Sequence, residues 1–108
     1  MPEKKLDINV EVKEGAPAVV ALVGELDHSN FDRLETVLFQ LFEDKKVSSI
    51  EFEFKNLEYI SSAGVGVLIS AISQAQSNNG TVKFKNLSLR VREIFTILGL
   101  PKEYFEQN

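Results

Sequence analysis

Short apolar runs with a two-residue period alternate along this chain with longer runs at helical spacing, and that alternation restricts the fold to the α/β class. Residues 6–12 (LDINVEV) alternate apolar and polar, and Glu-Gly-Ala-Pro at 14–17 breaks the pattern with turn formers, which predicts an edge strand entering a hairpin. Ala18 to Val23 is continuously apolar and ends at Gly24, the pattern of a central strand covered on both faces. Residues 49–54 (SIEFEF) place Ile50, Phe52 and Phe54 on one face and Glu51 and Glu53 on the other, and Thr81 to Lys85 reads as a fourth strand.

Three helices are expected between and after these strands. Ser29 followed by Asp32 resembles a capping box, and Phe31, Leu34, Val37, Leu38, Leu41 and Phe42 recur at helical spacing, which predicts a first helix over 30–43. A second helix over 63–77 closes in Ser-Asn-Asn-Gly. Its Val65, Leu68 and Ile72 cannot share one sheet-facing side with Val67, Ile69 and Ala71, so part of that surface is expected to meet a partner. Val91, Ile94, Phe95 and Leu98 mark a third helix that halts at Gly99 before Pro101, and the tail beyond Lys102 carries no pattern. Strands joined through helices run parallel with right-handed crossovers. The expectation is a mixed, mostly parallel sheet of about four strands with helices packed on it, and, because every connection is short, a single domain over 1–108.

Composition narrows the class of function. The eight phenylalanines and abundant Val, Ile and Leu supply a core without disulfides, and cysteine is absent. No apolar run approaches the roughly 20 residues that span a bilayer, and the amino-terminal Met-Pro-Glu-Lys-Lys lacks the apolar segment of a signal peptide, which points to the cytoplasm and away from membrane insertion. Twelve basic against sixteen acidic residues leave a net charge of −4, with no basic block longer than Lys4-Lys5 or Lys45-Lys46, so direct nucleic-acid binding is disfavoured.

The chemistry-bearing candidates cluster around Ser61 and Ser62, between the third strand and the second helix. A serine ahead of a helix ordinarily caps it by accepting a first-turn N–H. The same location would suit a phosphate, which meets unpaired amides and the positive end of the helix dipole, and which would move the net charge from −4 to about −6. Gly64 and Gly66 lack the third glycine of a dinucleotide fingerprint, and no Gly-Lys-Ser/Thr follows as in a P-loop; Gly66 is instead expected to let the helix approach a neighbour. A hydrolase using Ser62 would need a Gly-x-Ser-x-Gly elbow and a histidine base, but position 60 is Ile60 and the one histidine is His28. With no second histidine and no cysteine, Glu25, Asp27 and His28 do not make a transition-metal set. By topology, this acidic loop should lie at the carboxyl ends of the strands beside Ser61 and Ser62, forming one recognition surface.

Three stretches resemble the STAS family, shared by sulfate transporters and bacterial anti-sigma factor antagonists: Val23-Gly-Glu-Leu-Asp-His28, the segment 57–68 (LEYISSAGVGVL), and 80–100 (GTVKFKNLSLRVREIFTILGL). In the second, Gly64 matches the signature glycine, Ala63 the second hydroxyl position, Ser62 the phosphorylated serine, and Ser61 the position of the signature aspartate. The resemblance implies no catalysis and no cofactor of the chain's own. It implies an anti-sigma factor antagonist that binds an anti-sigma factor serine kinase while Ser62 is bare, so releasing a sigma factor, and that a serine phosphatase resets. Glu25, Asp27, His28, Ser61, Ser62, Gly64, Val65 and Gly66 are the partner-binding residues this implies. The alternative within the family is an unphosphorylated scaffold in a signalling complex or lipid transporter.

Overall fold

A strand pattern with charges on alternate residues can bury only one face, and this decides how the layers are arranged. The computed structural model describes residues 6–105; the Lys4-Lys5 pair lies outside them. In chain order the elements are β1 (Leu6–Glu11), β2 (Ala18–Leu26), α1 (Phe31–Phe39), a π turn (Gln40–Asp44), β3 (Ile50–Ile60), α2 (Ser62–Ser77), β4 (Val82–Lys85), α3 (Leu89–Ile97) and a 3-10 turn (Lys102–Tyr104). The sheet order is β1-β2-β3-β4, with β1 antiparallel to β2 and the other neighbours parallel, the mixed and mostly parallel sheet that the pattern requires.

Val20, Phe52 and Phe84 share one row of the sheet's buried face, while Val19, Glu51 and Lys83, and then Ala21, Glu53 and Lys85, share rows of the other. The second face is half open, so β2 is not covered on both sides as its apolar run suggested: Val19, Ala21 and Val23 are only partly buried. Its flanking strand brings glutamates into the same rows, and ionised glutamates need solvent or a cation. Lys85 pairs with Glu51 there, and the hydrogen bond and charge of that carboxylate hold the ammonium above its ordinary pKa of 10.5.

Both central strands outrun their apolar runs. β2 continues through Gly24 to Leu26 and β3 through Lys55 to Ile60, with register irregularities between Ala21 and Val23 and between Gly24 and Glu25. Gly24 takes a φ of 104°, open to glycine at little cost, at the second irregularity. The Gly-Glu-Leu stretch therefore belongs to a strand end and not to a loop.

The capping box expected at Ser29 does not form. Asp27 is the stronger acceptor, and both the backbone N–H and the hydroxyl of Ser29 donate to its Oδ1, at 2.9 and 2.7 Å. Asn30 instead organises the helix entry: its Nδ2 donates to the Glu25 carbonyl at 2.9 Å and its Oδ1 accepts from the Asp27 N–H at 2.8 Å.

Most of the apolar excess of α2 is buried within the protein. Val65, Leu68 and Ile72 are buried, and so are Val67 and Ala71, which flank the groove against α1; Ile69 remains 47% exposed. The helix ends in a Schellman arrangement, with the N–H of Gly80 donating to the Ala75 carbonyl at 2.7 Å and that of Asn79 to Gln76 at 3.1 Å. A similar end closes α3, where Gly99 has a φ of 81° and the Leu100 N–H donates to Phe95 at 3.0 Å. That geometry turns Leu98 outward, against the helical pattern, and folds Leu100 into the core in its place. The patternless tail also contributes: Phe105 is buried edge-on to Phe95 at 5.4 Å between ring centroids, joining a cluster of Phe52, Phe54 and Phe84.

Candidate functional site

The extended ends of β2 and β3 bring the two polar segments together. Leu26 pairs with Ile60, the Ser61 N–H donates to the Leu26 carbonyl at 2.9 Å, and Asp27, His28, Ser29, Tyr59 and Ser61 line a shallow surface depression. The acidic segment and the serines thus adjoin although more than thirty positions separate them, as the strand order requires.

The two serines have different roles. Ser61 is in extended conformation (φ −91°, ψ 173°) and caps α2: its Oγ accepts from the Gly64 N–H at 3.3 Å, its carbonyl accepts from the Val65 N–H at 2.9 Å, and only 4% of its surface is exposed. Ser62 is the first helical residue and is exposed. The capping role therefore falls to Ser61 alone, which leaves the Ser62 hydroxyl facing solvent. The position that the resemblance assigns to an aspartate is thus the N-cap, where serine and aspartate are about equally good acceptors.

Gly64, and not Gly66, is the close-approach glycine. A Cβ on Gly64 would lie 2.8 Å from Ile60 Cγ1 and 2.9 Å from Leu26 Cγ, whereas one on Gly66 would meet nothing within 4 Å among the described residues. Gly66 instead opens an exposed stripe that descends from Ser62 through Ile69 to Ser73. Val65 is 2% exposed and packs in the core, so its side chain is no contact for a partner. Of the residues singled out by sequence, His28, Ser62 and Gly66 are at the surface and Glu25 and Asp27 are half-buried, while Ser61, Gly64 and Val65 support the surface from beneath.

Two further residues belong to this end of the molecule. Tyr59 lines the depression, and Arg90, from the first turn of α3, lies with its guanidinium 5.8 Å from the Tyr59 ring centroid, a cation–π contact. Tyr59 has a sequence signal, as an aromatic directly before the Ile-Ser-Ser stretch; Arg90 has none, because only the packing of α3 brings it here. Among the described residues no group of three or more His, Cys, Asp or Glu is placed to hold a metal ion, and no helix is long and apolar enough to cross a membrane.

Chemically, this arrangement presents an exposed hydroxyl at the start of a helix, a place where a phosphate would be accommodated. The first turn of α2 carries no acidic residue to repel a phosphate, and the helix dipole favours one.

The sequence matches the STAS domain family over residues 7–106. It is 30% identical over 96 residues to an anti-sigma-B factor antagonist of Bacillus subtilis (strain 168), covering 88% of this chain and 86% of that one. It is 26% identical over 97 residues to an anti-sigma F factor antagonist of Paenibacillus polymyxa, covering 90% and 82%. The fold is shared with the anti-sigma factor antagonist SpoIIAA in its unphosphorylated form, with a TM-score of 0.84 at 24% identity over 94% of this chain and 88% of that one. The phosphorylated form of SpoIIAA from Bacillus gives 0.76 at 22% identity over 94% and 91%. A match that runs from β1 past the 3-10 turn, on a fold with the same architecture, leaves one assignment: the chain belongs to the STAS domain family.

Proposed function

We infer that this chain is an anti-sigma factor antagonist, a cytoplasmic binding module and not an enzyme. With Ser62 bare it holds an anti-sigma factor that is also a serine kinase, and so frees a sigma factor; phosphorylation of Ser62 ends binding, and a serine phosphatase restores it. The names of the curated relatives support the first half of this reading. The observation that carries the second half is the separation of roles between Ser61, committed to the cap, and Ser62, exposed beside it.

The kinase supplies ATP, Mg²⁺ and the base that takes the hydroxyl proton. Ser62 Oγ forms the new bond to the γ-phosphorus as the bond to the ADP oxygen breaks. The product carries about −1.5 to −2 of new charge on a surface whose helix, α2, has no charged residue of its own. Contact with the Ser62–Gly66–Ile69 stripe, Asp27 and His28 is then opposed by both bulk and charge.

Intact-mass analysis after co-expression with anti-sigma kinases tests this. One added phosphate is expected in the parent chain and in Ser61→Ala, and none in Ser62→Ala. A chain that binds such a kinase yet never gains phosphate is a scaffold, and the switch is then refuted.

A further inference from the structure

A groove of about 200 Å³ runs between α1 with its π turn and α2, away from the Ser62 end of the helix. Its floor is apolar, made by Leu38, Phe42, Val67 and Ala71, and Phe39 stands at its side with 64% of its surface exposed. A π turn is a departure from regular helix that recurs at functional sites, and this one begins directly after Phe39 and carries Phe42 into the floor. The volume is below that of sites for cofactors or drug-sized molecules, and suits one or two side chains.

The charge on the rim selects the occupant. Glu35 and Glu43 border the groove, and among the described residues no lysine or arginine lines it. Eight residues separate them across α1 and the π turn, about two helical turns, a spacing that basic residues two turns apart on another helix would match. A two-fold dimer through this groove would set the same two glutamates against themselves, and an anionic lipid surface would be repelled by them. We propose that this groove docks a basic amphipathic helix of another protein, with one or two apolar anchors beside Phe39 and lysines or arginines facing Glu35 and Glu43. It is a second interaction surface, independent of the reading of Ser62.

The test uses the full chain and a display library of 16-residue helices, with Leu or Phe at the a and d positions and the remaining positions drawn from Lys, Glu, Ser and Ala. Selection on the parent chain is expected to enrich lysine-flanked sequences. Their affinity should fall roughly tenfold against the Glu35→Lys, Glu43→Lys double variant, and also with added salt. The same double variant should enrich glutamate-flanked sequences instead. Phe39→Asp changes an exposed position, is expected to keep the fold by circular dichroism, and should abolish selection. Binders with no charge preference, binders indifferent to these variants, no enrichment at all, or binding of the chain to anionic phosphatidylserine vesicles with loss at Phe39→Asp would each overturn the proposal.

Discussion

Two glycines two residues apart in α2 should respond to the same substitution with opposite sign. Gly64→Ala places a methyl 2.8 Å from Ile60 Cγ1 and 2.9 to 3.0 Å from Leu26 Cγ and Cδ2, where carbon atoms ordinarily keep at least about 3.5 Å. Both neighbours are core residues, 1% and 0% exposed, so the required shift has little room to dissipate. Overpacking of this kind costs about 1–3 kcal/mol, and alanine recovers up to about 1 kcal/mol in helix propensity, for a net loss of about 1–2 kcal/mol. Gly66→Ala meets no atom and should gain about 0.5–1 kcal/mol. The gap between the variants, about 1.5–3 kcal/mol, is read from urea unfolding with the slope checked for constancy, and in a chain of this size corresponds to a difference in Tm of roughly 6 °C or more. If the exposed stripe is where the partner docks, Gly66→Ala should also weaken kinase binding while raising stability. Equal stability of the two variants, or a Gly64→Ala chain more stable than the parent, would refute the assignment of Gly64 as the glycine that seats α2 on the strand ends.

Ser61→Ala should cost about 1 kcal/mol in denaturant unfolding through loss of the helix cap, whereas Ser62→Ala should stay within about 0.5 kcal/mol of the parent. Gly80→Ala would drive a Cβ to 1.8 Å from the Ser48 carbonyl oxygen, and little folded protein is expected by circular dichroism. Phe105→Ala should lower stability by about 3–5 kcal/mol in the same unfolding assay, which identifies the tail as core. Glu51→Gln should bring the Lys85 pKa, followed by NMR, down toward 10.5. Because the folded value is raised, the contribution of this pair, present at neutral pH, is lost as pH rises from 10.5 through the folded pKa, so the variant and the parent should converge in stability in strongly alkaline solution.

The order of elements was legible because each core-facing side chain in a one-sided layer repeats with the period of its element, as Ile50, Phe52 and Phe54 do. The ends were not. β3 continues for six residues beyond Phe54, through Lys55 and Asn56, because Leu57 and Ile60 resume the buried face after an irregularity that breaks the two-residue period. Leu98 and Leu100 exchange roles for a related reason: a left-handed Gly99 changes the direction of the chain, and periodicity carries no information across such a residue. The excess of apolar residues on α2 was visible, but its meaning was not, since whether Val67 and Ala71 meet α1 or a partner depends on where α1 lies. Arg90 belongs to the site for a purely tertiary reason.

What the sequence did expose at the site was a pair of adjacent serines, and their difference in burial is what makes a switch physically workable. A phosphate on the capping residue would have to displace the Gly64 N–H bond and enter a position 4% exposed, so modification would disturb the start of α2 and the fold with it. A phosphate on Ser62 would leave the cap and both backbone bonds around Ser61 in place. The change is then confined to the charge and bulk of the exposed surface, which a docked partner senses and the core does not. Serine in place of an aspartate at the cap keeps the acceptor while removing one carboxylate from beside the position that a phosphate on Ser62 would take, which lessens the repulsion such a phosphate would meet within the protein itself.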